Sequence, residues 1–312
     1  MAETGSDCSR GKEVAPLRRT TAMADSVPFR RIAVIGTGLI GGSFALAVRA
    51  HLPMVEIIGW DRDSASLDRA IARGAVQEKA AGPAEAVRGA SLVYVALPVG
   101  AIVKSLALIA DAAEPDALVT DTGSTKVSIG RAATECFRAK SSLFLGGHPM
   151  AGKENSGIES ADAGLFKGAP YAIIANQNEA NRQTRDFAAL VGALGAHVVW
   201  CEADTHDWSV GVVSHLPQML SIALASVVQD ETDETGFPLS LAGQGLTDSL
   251  RLAGSPYAVW RDILFSNSDN VSHALNRLAQ AVEYLQRNLK SAELEQEFRT
   301  ANEVYALLQK RK

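Results

Sequence analysis

The sequence predicts an α/β chain in two parts, a doubly wound parallel sheet followed by an all-helical unit. Three observations carry that expectation. Short apolar, β-branched runs alternate with helical segments from residue 31 onward; a glycine-rich turn follows the first of these runs; and after residue 201 the strand-like runs stop and long amphipathic stretches take over. The expected parts are a disordered tail over 1–28, an α/β unit over 29–201 and a helical unit over 202–312.

Candidate strands lie at 31–35, 55–58, 92–95, 118–120, 143–145, 171–174 and 197–200, mostly continuous apolar runs of the kind buried on both faces of a parallel sheet. Helices are expected over 39–50 and 127–137 between them. In the second part the reading is a helix over 207–229, an acidic loop over 230–236, helices over 239–252 and 256–265, and long helical segments from 271 to the end. Val271, Leu275, Leu278, Val282 and Leu285 recur there at spacings of three or four, an amphipathic stripe. Helices of this length in so small a unit suggest apolar surface covered by a second copy, a homodimer, with packing against the first unit alone as the other reading.

With 312 residues and 47% hydrophobic composition, the chain can bury a sizeable core in two domains. Its net charge is −5 and its 30 Lys and Arg are scattered, which gives no support to nucleic-acid or anionic-membrane partners. Cys8, Cys136 and Cys201 fit neither a metal nor a paired-disulfide spacing, so no metal is expected and a reducing cytoplasm is the simplest home. The first 28 residues lack the apolar centre of a secretory signal, and Met23 is an alternative start. The longest apolar run, 92–103, is broken by Pro98 and Gly100, so a membrane span is not expected.

Gly36-Thr-Gly-Leu-Ile-Gly41 directly follows the first strand and opens a helix. In that setting Gly36 permits the tight turn, Gly38 lets a diphosphate approach the backbone, and Gly41 allows the helix to pack closely on the strand. The diphosphate would lie against the N–H groups of the helix start at Leu39 and Ile40. Asp61, 20 positions after Gly41, ends the second strand where a carboxylate can accept both ribose hydroxyls. It would repel a 2′-phosphate and so favours NAD, while the adjacent Arg62 keeps NADP as the alternative. Leu97 and Pro98, at the exit of the next strand, suit a cofactor wall. This is the setting of a Rossmann-type fold.

Two more strand ends bring polar groups to the same edge: Asp121-Thr-Gly-Ser-Thr-Lys126, and Gly146-Gly-His-Pro-Met-Ala-Gly152. Hydride transfer needs a base that takes a hydroxyl proton as the hydride leaves; His148 fits that base, and Ser124 fits a group that orients it or caps the helix that follows. Ser214-His215-Leu-Pro-Gln218 puts His215 and Gln218 on one face of an apolar helix that Pro217 should kink, a pocket wall or a buried, satisfied pair. Arg251, among small residues, is a bidentate anchor for a carboxylate or a surface partner of Asp248.

Taken together, Gly-Leu-Ile-Gly-Gly-Ser at 38–43, Asp-Thr-Gly-Ser-Thr-Lys at 121–126, His-Pro-Met-Ala-Gly at 148–152, His215 in its helix, and Arg251 followed by Trp260-Arg-Asp262 resemble the prephenate/arogenate dehydrogenases of tyrosine biosynthesis. The resemblance covers roughly residues 30–310 and implies oxidative decarboxylation. Hydride leaves ring C4 for NAD, the C4 hydroxyl loses its proton, and carbon dioxide leaves C1. It implies that His148 accepts the proton, Ser124 helps orient His148, substrate and nicotinamide, Arg251 pairs with the ring carboxylate, His215 lies near the side-chain end, and Trp260 is near the pocket. A buried Arg without a partner costs several kcal/mol, so Glu154 or Asp248 is expected to hold Arg251 until substrate arrives. The resemblance implies a small-molecule substrate, prephenate or arogenate, which differ in a keto or amino side chain. A related two-domain hydroxyacid dehydrogenase would carry a catalytic lysine in the helical unit, and no Lys occurs between Lys167 and Lys290. A non-catalytic nucleotide sensor is the other alternative.

Overall fold

The computed structural model describes residues 28–153, 155–232 and 236–310. Its first part alternates β1 (Arg31–Ile35), α1 (Leu39–His51), β2 (Glu56–Trp60), α2 (Ser64–Ala72), β3 (Glu78–Lys79), α3 (Pro83–Val87), β4 (Leu92–Val95), α4 (Val99–Ala112), β5 (Leu118–Asp121), α5 (Val127–Phe137), β6 (Leu143–Pro149), β7 (Pro170–Ile174), α6 (Arg182–Ala193) and β8 (His197–Cys201). The strands form one eight-stranded sheet in the order β3-β2-β1-β4-β5-β6-β7-β8. Chain progression reverses between β1 and β4, which opens a crevice at the carboxyl edge of the strands.

Side chains one apart on a strand face opposite sides, and the continuous apolar runs therefore feed two cores. Ile32, Val34, Ile57, Leu92, Tyr94 and Leu118 pack on one face with Phe44 of α1 and Phe187 of α6. Ala33, Ile35, Ile58, Val93, Val95 and Val119 pack on the other with Ile102 and Leu106 of α4 and Ile129 of α5. The sheet is thus covered on both faces, as its composition requires.

Two features depart from the sequence reading. The two-residue β3, exposed and too short to carry a periodic signal, is additional. More important for the site, the glycines after Leu145 continue the strand: β6 runs to Pro149, and Gly146, Gly147, His148 and Pro149 pair antiparallel with Ile174, Ile173, Ala172 and Tyr171 of β7. The sheet is therefore parallel through β6, with β7 and β8 running the other way. The segment between β6 and β7 needs no crossover helix because an antiparallel return starts at the edge where β6 ends. Gly147 is small because a Cβ there would stand 2.8 Å from the Asp121 carbonyl oxygen and 3.2 Å from the Tyr171 ring. Close strand packing, not a turn, explains this glycine.

The second part contains α7 (Ala203–Val210), a wide turn at Gly211–His215, α8 (Leu216–Asp230), α9 (Phe237–Ser240), α10 (Gln244–Leu250), a tight turn at Arg251–Gly254, α11 (Tyr257–Ser266), α12 (Ser268–Arg287) and α13 (Leu294–Gln309). The expected kink at Pro217 takes the form of that wide turn. The Leu216 N–H bonds the Gly211 carbonyl, five residues back, and Pro217, which has no N–H to donate, stands in the first turn of α8. Among the described residues one helical run, Ala203–Asp230, is long and apolar enough to cross a membrane by length and composition, where the sequence reading had found no such run. Within it His206, Asp207, His215 and Gln218 are buried and hydrogen-bonded to the protein, the pattern of a helix packed against protein.

Candidate active site

The glycine loop is built as its spacing demands. Gly36 has φ +93°, and a Cβ on it would lie 2.3 Å from the Ala96 carbonyl oxygen and 2.9 Å from Leu97 Cδ2. A Cβ on Gly41 would fall 1.9 Å from the Gly36 carbonyl oxygen. Both contacts hold the loop tight against the exit of β4, where Leu97 and Pro98 stand. Gly38 differs: nothing lies within 4 Å of where its Cβ would be. It caps α1 with no side-chain hydrogen bond, and the first turn of α1 holds no acidic residue. The open space faces a helix start whose N–H groups, at Leu39 and Ile40, suit an anion. Asp61 follows β2 directly; its Oδ2 accepts from the Thr37 N–H at 2.7 Å and its Oδ1 from the Asp63 N–H at 2.9 Å. These bonds fix the carboxylate beside the glycine loop.

His148 lies past the last β5–β6 pair, Thr120 with Leu145, so it reaches the carboxyl edge although it belongs to a strand. It is 8% exposed. Its Nδ1 stands 2.9 Å from His206 Nε2, and His206 Nδ1 stands 2.8 Å from Asp207 Oδ1. Asp207 also accepts the backbone N–H groups of Lys126, at 2.7 Å, and Val127, at 2.9 Å. Burial pushes the His148 imidazole well below its ordinary value of 6.5, and the nearby His206, Lys126 and His215 add to the effect. The ring is therefore neutral at neutral pH and able to take a proton.

The backbone before His148 is held from the neighbouring loop. Asp121, buried at the end of β5, accepts the N–H of Gly147 at 3.2 Å and of Gly123 at 2.8 Å, and forms an ion pair with the buried Lys126. The same Lys126 ammonium donates to the Gly147 carbonyl at 2.7 Å. Ser124 sits between these two residues, half-buried, and its hydroxyl makes no hydrogen bond to another described residue. The N-cap position of α5 belongs to Lys126 and has no side-chain cap of its own. Asp207 supplies the capping acceptor from the helical unit, so the cap reading of Ser124 does not hold.

In the helical unit His215 is buried at the end of the wide turn. Asn267 Nδ2 lies 3.2 Å from His215 Nδ1 and donates to the Asp207 carbonyl at 2.8 Å. The Trp260 ring meets His215 edge-on, with centroids 5.7 Å apart, and its N–H donates to Ser255 at 3.0 Å. Burial lowers the His215 pKa to about 4; Asp207 works in the opposite sense and His206 in the same one. Gln218 is buried, and its amide donates to the Leu252 carbonyl at 2.9 Å. That bond pins the tight turn that begins at Arg251, a holding role that the pocket-wall reading did not foresee. Arg251 is exposed at the head of this turn, contrary to the burial assumed for it, and the Asp248 carboxylate accepts from Gln244 at 2.8 Å. Glu154 lies outside the described residues. Asp262, on α11, accepts the Gly100 N–H of α4 at 3.1 Å and helps seat the helical unit on the first part.

The arrangement therefore gathers His148, His215 and Trp260 with a glycine loop on one edge of the sheet. His206, Asp207 and Asn267 were missed by sequence reasoning. The signal was present as a His-Asp pair at 206–207, five positions after the last strand ends at Cys201, on the helix that follows it. Neighbouring helical residues point in different directions, so a search by helical face passes over them.

Comparison with known proteins bears on this geometry. The model described as "Prephenate dehydrogenase, nucleotide-binding domain" matches residues 44–200, and "Prephenate dehydrogenase, dimerization domain" matches 202–303. The chain belongs to the prephenate dehydrogenase family. It is an oxidoreductase of that family, and the resemblance read from the sequence holds. A prephenate dehydrogenase of Bacillus subtilis (strain 168) is 31% identical over 271 residues, 86% of this chain and 72% of that protein. A cyclohexadienyl dehydrogenase of Zymomonas mobilis is 30% identical over 77% of this chain and 82% of its own length. The crystal structure of prephenate dehydrogenase from A. aeolicus, in complex with hydroxyphenyl propionate and NAD+, superposes with a TM-score of 0.80 at 24% identity, over 91% of this chain and 98% of that one. It shares the fold.

The buried Lys126–Asp121 pair gives a direct test of how His148 is held. Lys126→Met leaves the Asp121 carboxylate buried without its counter-ion, which should cost about 3–5 kcal/mol in urea denaturation followed by circular dichroism. A loss below about 1 kcal/mol would show that the pair does not support the strand ends.

Proposed function

We propose that the chain catalyses the NAD-dependent oxidative decarboxylation of prephenate to 4-hydroxyphenylpyruvate, with His148 as the acceptor of the ring hydroxyl proton. The observation that carries this reading is the neutral, buried imidazole at the carboxyl edge of the sheet. Its Nδ1 is engaged by His206, and its Nε2 has no hydrogen bond to a described residue. A base within hydrogen-bond reach of a substrate hydroxyl needs such a bare nitrogen.

The residues present fit the cofactor. Gly36, Gly38, Leu39, Ile40 and Gly41 would hold its diphosphate, Asp61 its adenosine ribose, and Leu97 and Pro98 would wall the site; the open space at Gly38 is the feature that a diphosphate needs. When bound, NAD supplies the acceptor for the hydrogen that leaves ring C4 with its electron pair. Asp61 favours NAD over NADP. His148 Nε2 takes the hydroxyl proton as the C4 carbonyl forms; the electron pair of the bond from C1 to its carboxylate then flows into the ring as carbon dioxide departs, and the phenolate oxygen so formed takes the proton back from His148. Ser124, which makes no hydrogen bond to His148 here, orients substrate and nicotinamide, Arg251 pairs with the ring carboxylate, and His215 and Trp260 belong to the substrate side.

We place the division between the nucleotide-binding and helical units at residue 201. Exposed apolar side chains of the helical unit, among them Leu241, Phe265 (88% exposed) and Leu307, together with the description of the matching family model, support a homodimer formed through it. A cytoplasmic location agrees with the unpaired Cys136 and Cys201. The cyclohexadienyl dehydrogenase relative supports a second reading, in which arogenate is a substrate too.

NADH production measured with prephenate and with arogenate decides between these readings, and prephenate is expected to give the higher kcat/KM. His148→Asn should lower kcat by about 10²–10⁴ with little change in KM. Arg251→Gln should mainly raise KM, and a reversed pattern would overturn both roles. The pH profile follows from burial. The neutral imidazole is the active form and its pKa is depressed, so the acid limb of kcat/KM should lie below pH 6.5; a limb at or above that value would contradict the assignment. Light scattering should give twice the chain mass of 33.0 kDa, and a monomer at assay concentration would exclude the dimer.

A further inference from the structure

The helical unit reaches into the nucleotide-binding unit through two adjacent side chains that no step above uses. His206 and Asp207, on α7, are both buried, and they end a line that starts at His148: His148 Nδ1 to His206 Nε2 at 2.9 Å, His206 Nδ1 to Asp207 Oδ1 at 2.8 Å. We propose that His206 and Asp207 are positioning residues that fix the tautomer of His148, so that Nδ1 carries the proton and Nε2 is left bare toward the substrate.

Asp207 Oδ1 accepts the Lys126 N–H and Oδ2 accepts the Val127 N–H. With both oxygens already facing donors, the contact with His206 Nδ1 needs a proton on that nitrogen; a bare Nδ1 would set lone pair against lone pair at 2.8 Å. In the neutral imidazole a proton on Nδ1 leaves Nε2 as an acceptor. His206 Nε2 therefore accepts from His148, which places the His148 proton on Nδ1 and leaves Nε2 as the base. The opposite tautomer of His148 would bring two bare nitrogens together at 2.9 Å. The logic is that of an acid–base–carboxylate triad with a second imidazole inserted between base and carboxylate. When His148 takes the substrate proton, the O–H bond breaks and an Nε2–H bond forms. The Nδ1–H of the resulting imidazolium then donates more strongly to His206, whose own N–H points at the carboxylate.

The same carboxylate caps α5 from across the unit boundary, so the geometry also sets where the base stands. Asn267 fastens this corner, donating from its amide to the Asp207 carbonyl while lying 3.2 Å from His215 Nδ1. Asp207 has a structural duty at α5, and His206 is the residue whose replacement isolates the tautomer effect.

This proposal rests on His148 being the base, and the test separates the two. Nitrogen-15 NMR of the full-length protein labelled at histidine, with the His148 signals identified from the His148→Asn spectrum, reports which ring nitrogen is protonated without any turnover. The expected wild-type result is a protonated Nδ1 and a bare Nε2, and in His206→Phe the other tautomer should become populated. In kinetics, His206→Phe should lower kcat at least about tenfold with KM for prephenate and NAD within about twofold. His206→Gln, whose amide oxygen can still accept from His148 Nδ1, should restore most of the rate. A bare Nδ1 in the wild type, or an unchanged kcat in His206→Phe, overturns the proposal. If His206→Phe does not fold, the wild-type spectrum and His206→Gln still decide it. A fully active His148→Asn would instead remove the base assignment and leave the measured tautomer standing.

Discussion

Asp207 is one carboxylate with three N–H partners, and they belong to two different pieces of the molecule. Two are backbone groups at the start of α5, beneath the Ser124 loop, and the third is the His206 ring on its own helix. A carboxylate buried in this way is costly unless its lone pairs are filled, and here they are filled only when the helical unit sits squarely on the sheet. The orientation of His148, the register of α7 and the capping of α5 are therefore one constraint. Charge-assisted bonds of this kind contribute roughly twice what neutral ones do, so this corner resists displacement more than the exposed ion pairs on α12 and α13.

From that corner the rest of the site follows. Asp121 and Lys126 clamp Gly147 from the strand side, Asn267 joins Asp207 to His215, and Trp260 closes on the His215 ring. Together they leave His148 Nε2 without a hydrogen bond to a described residue, at the edge where the glycine loop opens. Low dielectric surroundings keep that imidazole neutral, and the same surroundings would strengthen its interaction with a hydroxyl. One face of the helical unit completes the crevice, and elsewhere on it large apolar side chains such as Leu241 and Phe265 are exposed.

Much of this was legible in the sequence. The glycine spacing, the position of Asp61 and the run of apolar strands led to the sheet and its crevice because those signals are local and each has one cheap physical explanation. His148 was legible as a candidate for chemistry, but its setting was misread: Gly146 and Gly147 look like a loop in isolation, and only the returning β7 makes them a strand. The roles of Gln218 and Arg251 were read from charge and spacing, which say nothing about the Leu252 carbonyl that Gln218 holds or the exposure of Arg251. His206 and Asp207 were hidden for a different reason. Their meaning depends on partners more than 50 positions away, and a pattern search along one helix cannot see a contact made across two units.

In the proposed mechanism His148 presents a bare Nε2 to the ring hydroxyl while His206 holds its Nδ1. A high-resolution crystal structure of the full chain with NAD and a para-hydroxyphenyl product tests this most directly. The phenolic oxygen should lie about 2.6–3.2 Å from His148 Nε2, with the His148–His206–Asp207 line unbroken. A product whose oxygen lies against another group, or a His148 ring turned so that Nδ1 faces the ligand, would contradict it.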